Sequence, residues 1–96
     1  MEINSIPDAF QSKLRLMIIS ALFSGEKTFK ELKALTGATD GNLSAQISNL
    51  EQVNYVSVEK RFVGKRPNTT CTITEDGENS FREYVGLLQK VITDAN

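Results

Sequence analysis

The residues with the most chemistry in this chain are amides, hydroxyls and cations. There is no histidine and a single cysteine, Cys71, so neither a Ser-His nor a Cys-His nucleophile pair can form. A zinc or other transition-metal centre would have to be built from carboxylates and one thiol, a poor donor set for such ions. No glycine-rich phosphate loop follows a strand, which removes the usual cradle for nucleotide hydrolysis. Neither enzymatic activity nor a cofactor is therefore expected. Two clusters remain. The stretch "TDGNLSAQISNLEQVN" carries Asn42, Ser44, Gln46, Ser48 and Asn49, side chains that donate and accept hydrogen bonds. The stretch "EKRFVGKRPNTT", residues 59–70, gathers Lys60, Arg61, Lys65 and Arg66 against one acid, for a net charge of +3. This second cluster stands out because the whole chain is acidic, with a net charge of −1 and a pI near 5.4. Residues 74–96 carry −3, so the total hides a segregation of charge. Exposed charges act over only about 8 Å at physiological salt, and the basic cluster keeps its local field.

The elements that would position these groups are legible from periodicity. Length and composition fit one domain over residues 1–96. No apolar run reaches the 18 or so residues of a membrane span. The opening "MEINSIPDAF" lacks the basic-then-apolar pattern of a secretion signal, and a lone cysteine suits a reducing compartment, so a cytoplasmic protein is expected. In "DAFQSKLRLMIISALFSG" the apolar spacing predicts a helix over 7–24. Its apolar face is wider than one core contact requires, consistent with central burial or with a partner surface. "TFKELKALTG" predicts a short helix with a Thr28–Glu31 capping box, a buried Phe29–Leu32–Leu35 face and a left-handed Gly37 at its end. Lys30 and Lys33 face away from that core.

A third helix, about 40–53, is capped by Thr39 and buries Leu43, Ile47 and Leu50. Rotation by 100° per residue sends Gly41, Asn42, Ala45, Ser48 and Asn49 outward, with Ser44 and Gln46 flanking. The period then changes to two. Val56 and Val58, and later Cys71 and Ile73, alternate with polar residues as in a hairpin, leaving Thr70 on the outer face and a basic tip at about 60–69. Phe62 and Val63 are expected first to pack under this hairpin, the alternative being exposure to sugar or a partner, and Cys71 is read as a small core residue. Thr74 caps a long last helix, about 75–94, with a stripe of Phe81, Val85, Leu88, Val91 and Ile92. Glu75, Asp76 and Glu78 sit in its first turn, where the helix dipole favours them.

In this order, the "DGNLS" opening of the third helix, "LE" before the strand, "YV", "F.GK.P.T" through the hairpin and "T..G" opening the last helix resemble small winged helix-turn-helix regulators of the MarR and ArsR type. The matching block covers roughly half of the chain. The resemblance implies an α+β, mainly α fold: three helices, a β-hairpin wing and a long C-terminal helix. It further implies a dimeric DNA-binding repressor or regulator whose first and last helices, about 7–24 and 75–94, form the dimer interface. Gln46 stands where many relatives carry His, and Glu78 where an Arg is common, so contacts there are expected to differ.

Against this frame the two clusters take separate roles. A polar helix face by itself needs no explanation beyond solvation. This one, however, has no Lys or Arg and only Glu51 near its edge, whereas solvated helices are usually rich in charge pairs. Asn42, Ser44, Ala45, Gln46 and Asn49 are therefore expected to read base edges in the major groove, Ala45 by keeping the face thin. Thr39, Lys60, Arg61, Lys65, Arg66 and Thr69 are expected to hold the DNA backbone or enter the minor groove of a pseudo-palindromic operator. A winged helix used only for protein contact is the alternative. It accounts for the acidic pI and leaves the basic wing unexplained. No feature points to an effector ligand.

Overall fold

The computed structural model describes residues 2–95. The chain runs α1 (Lys13–Phe23), β1 (Lys27–Thr28), α2 (Phe29–Thr36), α3 (Asp40–Gln52), β2 (Val56–Val63), β3 (Arg66–Ile73) and α4 (Glu75–Ala95). This is a winged helix-turn-helix, mainly helical, with an antiparallel sheet of order β1-β3-β2. No helix among the described residues is long and apolar enough to cross a membrane.

The first helix is shorter than the sequence predicted. Asp8–Phe10 forms a 3-10 turn, and the α-helix begins only at Lys13. The cause is Ser12, which is extended (φ −120°, ψ 130°) and whose hydroxyl accepts a hydrogen bond from the Arg15 amide. A serine N-cap thus interrupts an otherwise continuous apolar stripe. The break lets Phe10 enter the core, where its ring stacks against Tyr55 and Tyr84 and meets Phe81 edge-on.

The remaining helix ends follow their local signals. Thr28 and Glu31 complete the capping box, Gly37 takes a left-handed φ of 71°, and the Thr39 hydroxyl accepts from the Asn42 amide. Lys33 and Asp40 pair at 2.6 Å across the α2–α3 turn. Ile18, Ile19, Leu22, Leu32, Leu43 and Leu50 are fully buried, each contributing about 1.5–3 kcal/mol. Leu35, expected among them, is 56% exposed. It lies about 60° around α2 from Leu32, and the core takes in Leu32 and Phe29 from this helix but not Leu35.

Strand β1 was not foreseen. Lys27 pairs with Cys71 and Thr28 with Thr70, which makes β3 the central strand. Thr70, expected on an open face, is buried for this reason, since it lies between Thr28 and Glu59. β2 and β3 stay in register from Val56↔Ile73 to Val63↔Arg66, and Gly64 (φ 67°) and Lys65 make the turn. Most of residues 59–70 is therefore strand, with a two-residue tip.

A compact clamp ties the wing to α4. The Thr74 hydroxyl donates to the Asn54 carbonyl at 2.6 Å and accepts from the Gly77 amide at 3.0 Å. Asn54, at a left-handed φ of 62°, donates its side-chain amide to Asp76 at 2.7 Å. A Cβ on Gly77 would strike the Tyr55 carbonyl oxygen, so only glycine lets α4 start this close to β2.

Candidate nucleic-acid interface

Helix α3 presents three sides, each built by its 100° rotation. Leu43, Ile47 and Leu50 point into the core. On the side towards the wing, Ser44, Ser48 and Glu51 share a groove with Phe29, Val58, Lys60 and Thr69. On the third side, Asn42, Gln46 and Asn49 turn towards the segment leading into α1. Gly41, Asn42, Ser44, Ala45, Ser48 and Asn49 are exposed, and Gln46 is half-buried.

Strand alternation divides the wing residues between two faces. Val58, Lys60 and Phe62, opposite Cys71, Thr69 and Pro67, lie on the face that continues from the core. That face flanks α3, so Lys60 and Thr69 stand beside the exposed side of the helix. Phe62 is on it too, but 74% exposed, and Val63 on the other face is 67% exposed. Neither packs under the wing as expected, because the hairpin projects past the helices that would cover them.

Arg61 falls on the opposite face. It donates to Glu59 at 2.9 Å and lies 3.4 Å from Glu26. The Glu59 hydrogen bond, then the charges of Glu59 and Glu26, hold its guanidinium still more firmly protonated. The positive charge of Arg61 is thus locally balanced, whereas Lys60 makes no ion pair among the described residues. Lys65 occupies the tip. Arg66 shares a groove with Lys30, Thr28, Val63, Pro67 and Asn68, which brings a cation of α2 to the wing. Lys33 is instead engaged by Asp40. Thr39 remains exposed at the α3 N-terminus while capping it.

One participant was missed in the sequence. Arg15 of α1 reaches across to α3, where its Nη1 donates to Gln46 Oε1 at 2.7 Å, and Gln46 Nε2 donates to Asn42 Oδ1 at 3.3 Å. Arg15 Nη2 also donates to the Asp8 carbonyl at 2.9 Å. The available signal was an arginine set between Leu14 and Leu16 in an apolar run, a place where a cation needs a specific partner. Glu78, singled out as a departure, pairs with Arg82 at 3.4 Å on α4, and that guanidinium lies 4.9 Å over the Phe23 ring. Cys71 is fully buried. Burial, and secondarily the charge of Glu51, pushes its thiol up to about 11.

The arrangement places a hydrogen-bonding helix face, uncharged from Gly41 to Asn49 and bounded by Asp40 and Glu51, next to a hairpin bearing cations. Comparison with known proteins agrees. The family described as winged helix DNA-binding domain matches residues 14–92. An uncharacterised protein of Methanocaldococcus jannaschii is 32% identical over 77 residues, 79% of this chain and 84% of that one. A transcriptional regulator homologue from Pyrococcus horikoshii OT3 superposes with a TM-score of 0.84 at 26% identity, covering 93% of this chain and 89% of that one. A structure described as a MarR-family transcriptional regulator, from Enterococcus faecalis V583, gives 0.83 at 26% identity, with 97% and 84% covered.

Proposed function

We propose, from the premise that this chain belongs to the winged helix DNA-binding domain family, that it is a homodimeric, cytoplasmic transcriptional repressor that binds a pseudo-palindromic operator. Membership of a DNA-binding family supports double-stranded DNA as the partner. The observation that carries the finer reading is the exposed face of α3, uncharged from Gly41 to Asn49, set beside Lys60 and Thr69 of the wing. Asn42, Ser44, Ala45, Gln46 and Asn49 then meet base edges in the major groove, where amides pair well with bases. Thr39, Lys60, Lys65, Arg66 and Thr69 hold the backbone, and Lys30 extends that grip. Arg61 contributes least, since two carboxylates already engage it.

The dimer is proposed to form through α1 and α4. Met17, Leu88 and Val91 are exposed to 37%, 43% and 43%, and a second copy would cover them. Two-fold symmetry would then present two α3 helices to half-sites about 10 base pairs apart.

Titration with random-sequence duplex at low and moderate salt tests the reading. Binding that weakens with salt by roughly 0.9 in log–log slope per phosphate contact is expected. No binding at either salt would refute it and leave the protein-contact alternative.

A further inference from the structure

We infer that Arg15, which lies on α1 outside the recognition helix, sets which bases that helix accepts. The inference rests on the DNA-reading function proposed above and deepens it. A guanidinium has donors and no acceptor, so the Gln46 atom 2.7 Å from Arg15 Nη1 must be the carbonyl oxygen. That choice orients the Gln46 amide with its Nε2 towards Asn42, and Nε2 can only donate. The Asn42 atom that receives it at 3.3 Å is therefore also an oxygen. The polarity of Arg15 passes through two amides in succession. Arg15 is itself held by the Asp8 carbonyl at 2.9 Å, so the chain of bonds starts from an anchored group.

The consequence falls on the first turn of α3, where recognition helices meet base edges. Asn42 is exposed, and no partner holds its Nδ2 among the described residues. The side chain thus presents both Nδ2 hydrogens to the groove, while one of its oxygen's two lone pairs is turned towards Gln46. An asparagine free to use both atoms pairs with adenine, donating to N7 and accepting from N6. A donor-biased asparagine suits guanine, whose major-groove edge offers N7 and O6 as acceptors. Arg15 is a positioning residue in this scheme, favouring guanine over adenine at one position of each half-site.

The test uses the sequence that the wild-type protein enriches from a random duplex pool, and single-position variants of it. Wild type is expected to prefer guanine over adenine at one half-site position, and to lose affinity when that guanine is replaced by 7-deazaguanine. Arg15→Met is expected to reduce this preference by at least about fivefold, with the salt slope unchanged. Arg15→Lys, which also only donates, is expected to retain the preference. Gln46→Glu still accepts from Arg15 but no longer donates to Asn42, so its preference should move towards adenine. It leaves the Arg15–Asp8 bond in place, which separates a change of reading from a disturbed fold. Wild-type preference profiles kept within about twofold in both Arg15→Met and Gln46→Glu would overturn the inference. So would a salt slope reduced by about 0.9 in Arg15→Met with preference intact, since that marks a direct phosphate contact. Enrichment of no sequence by wild type would refute the DNA-reading function as well.

Discussion

Single residues decide how the two halves of the domain are joined. Gly77 opens α4 against the Tyr55 carbonyl and the Ile73 side chain. Alanine is the better helix former, yet Gly77→Ala is expected to destabilise the domain by about 1–3 kcal/mol, because the added carbon has nowhere to go. Urea unfolding would measure it. Cys71 makes a second residue-scale case. Its thiol is held neutral up to about 11, against an ordinary value of 9.0. A raised native pKa means that the unfolded chain releases the proton first. Stability from this group is thus intact below about 9 and declines as pH rises towards about 11. Cys71→Ala should flatten that part of the stability–pH curve relative to wild type, as measured by thermal unfolding. An unchanged decline would assign it to other groups.

At the scale of elements, the signals readable in advance were local ones. The Thr28–Glu31 box, the Gly37 end and the Thr39 cap all rest on residues four or fewer apart, and all three formed. Leu43, Ile47 and Leu50 were legible for the same reason. What was not legible depends on distant partners, or, at Ser12, on a local cap hidden inside a regular pattern. Two residues at Lys27–Thr28 become a strand only because β3 is there to pair with them. Ser12 capped a helix in the middle of an apolar stripe, which periodicity alone smooths over. The wing cations were legible as a cluster but not as two faces, since a loop carries no alternation and a strand does. That division has a measurable outcome. Lys60→Ala and Arg66→Ala should each lower the salt slope of DNA binding by about 0.9, whereas Arg61→Ala should leave it nearly unchanged. Equal effects from all three would show that the pairs to Glu59 and Glu26 open in the complex.

For the whole molecule, the slight net negative charge is a sum of unlike parts. The +3 of residues 59–70 projects with the wing, and the −3 of residues 74–96 runs with α4. An acidic total is therefore compatible with an anionic partner, provided the partner meets the wing and α3. The long axis of 54 Å against 25 and 21 Å describes an elongated body rather than a sphere. Dimerisation would give that length a purpose by burying the apolar stripe of α4. Sedimentation should find twice the 10.6 kDa chain mass, reduced to a monomer by the Leu88→Glu, Val91→Glu pair. Selection of bound sequences from a random duplex pool tests the central claim most directly, because it reads base recognition and symmetry together. The expected result is an enriched inverted repeat with half-site centres about 10 base pairs apart. A pool that binds yet shows no enriched sequence would contradict it.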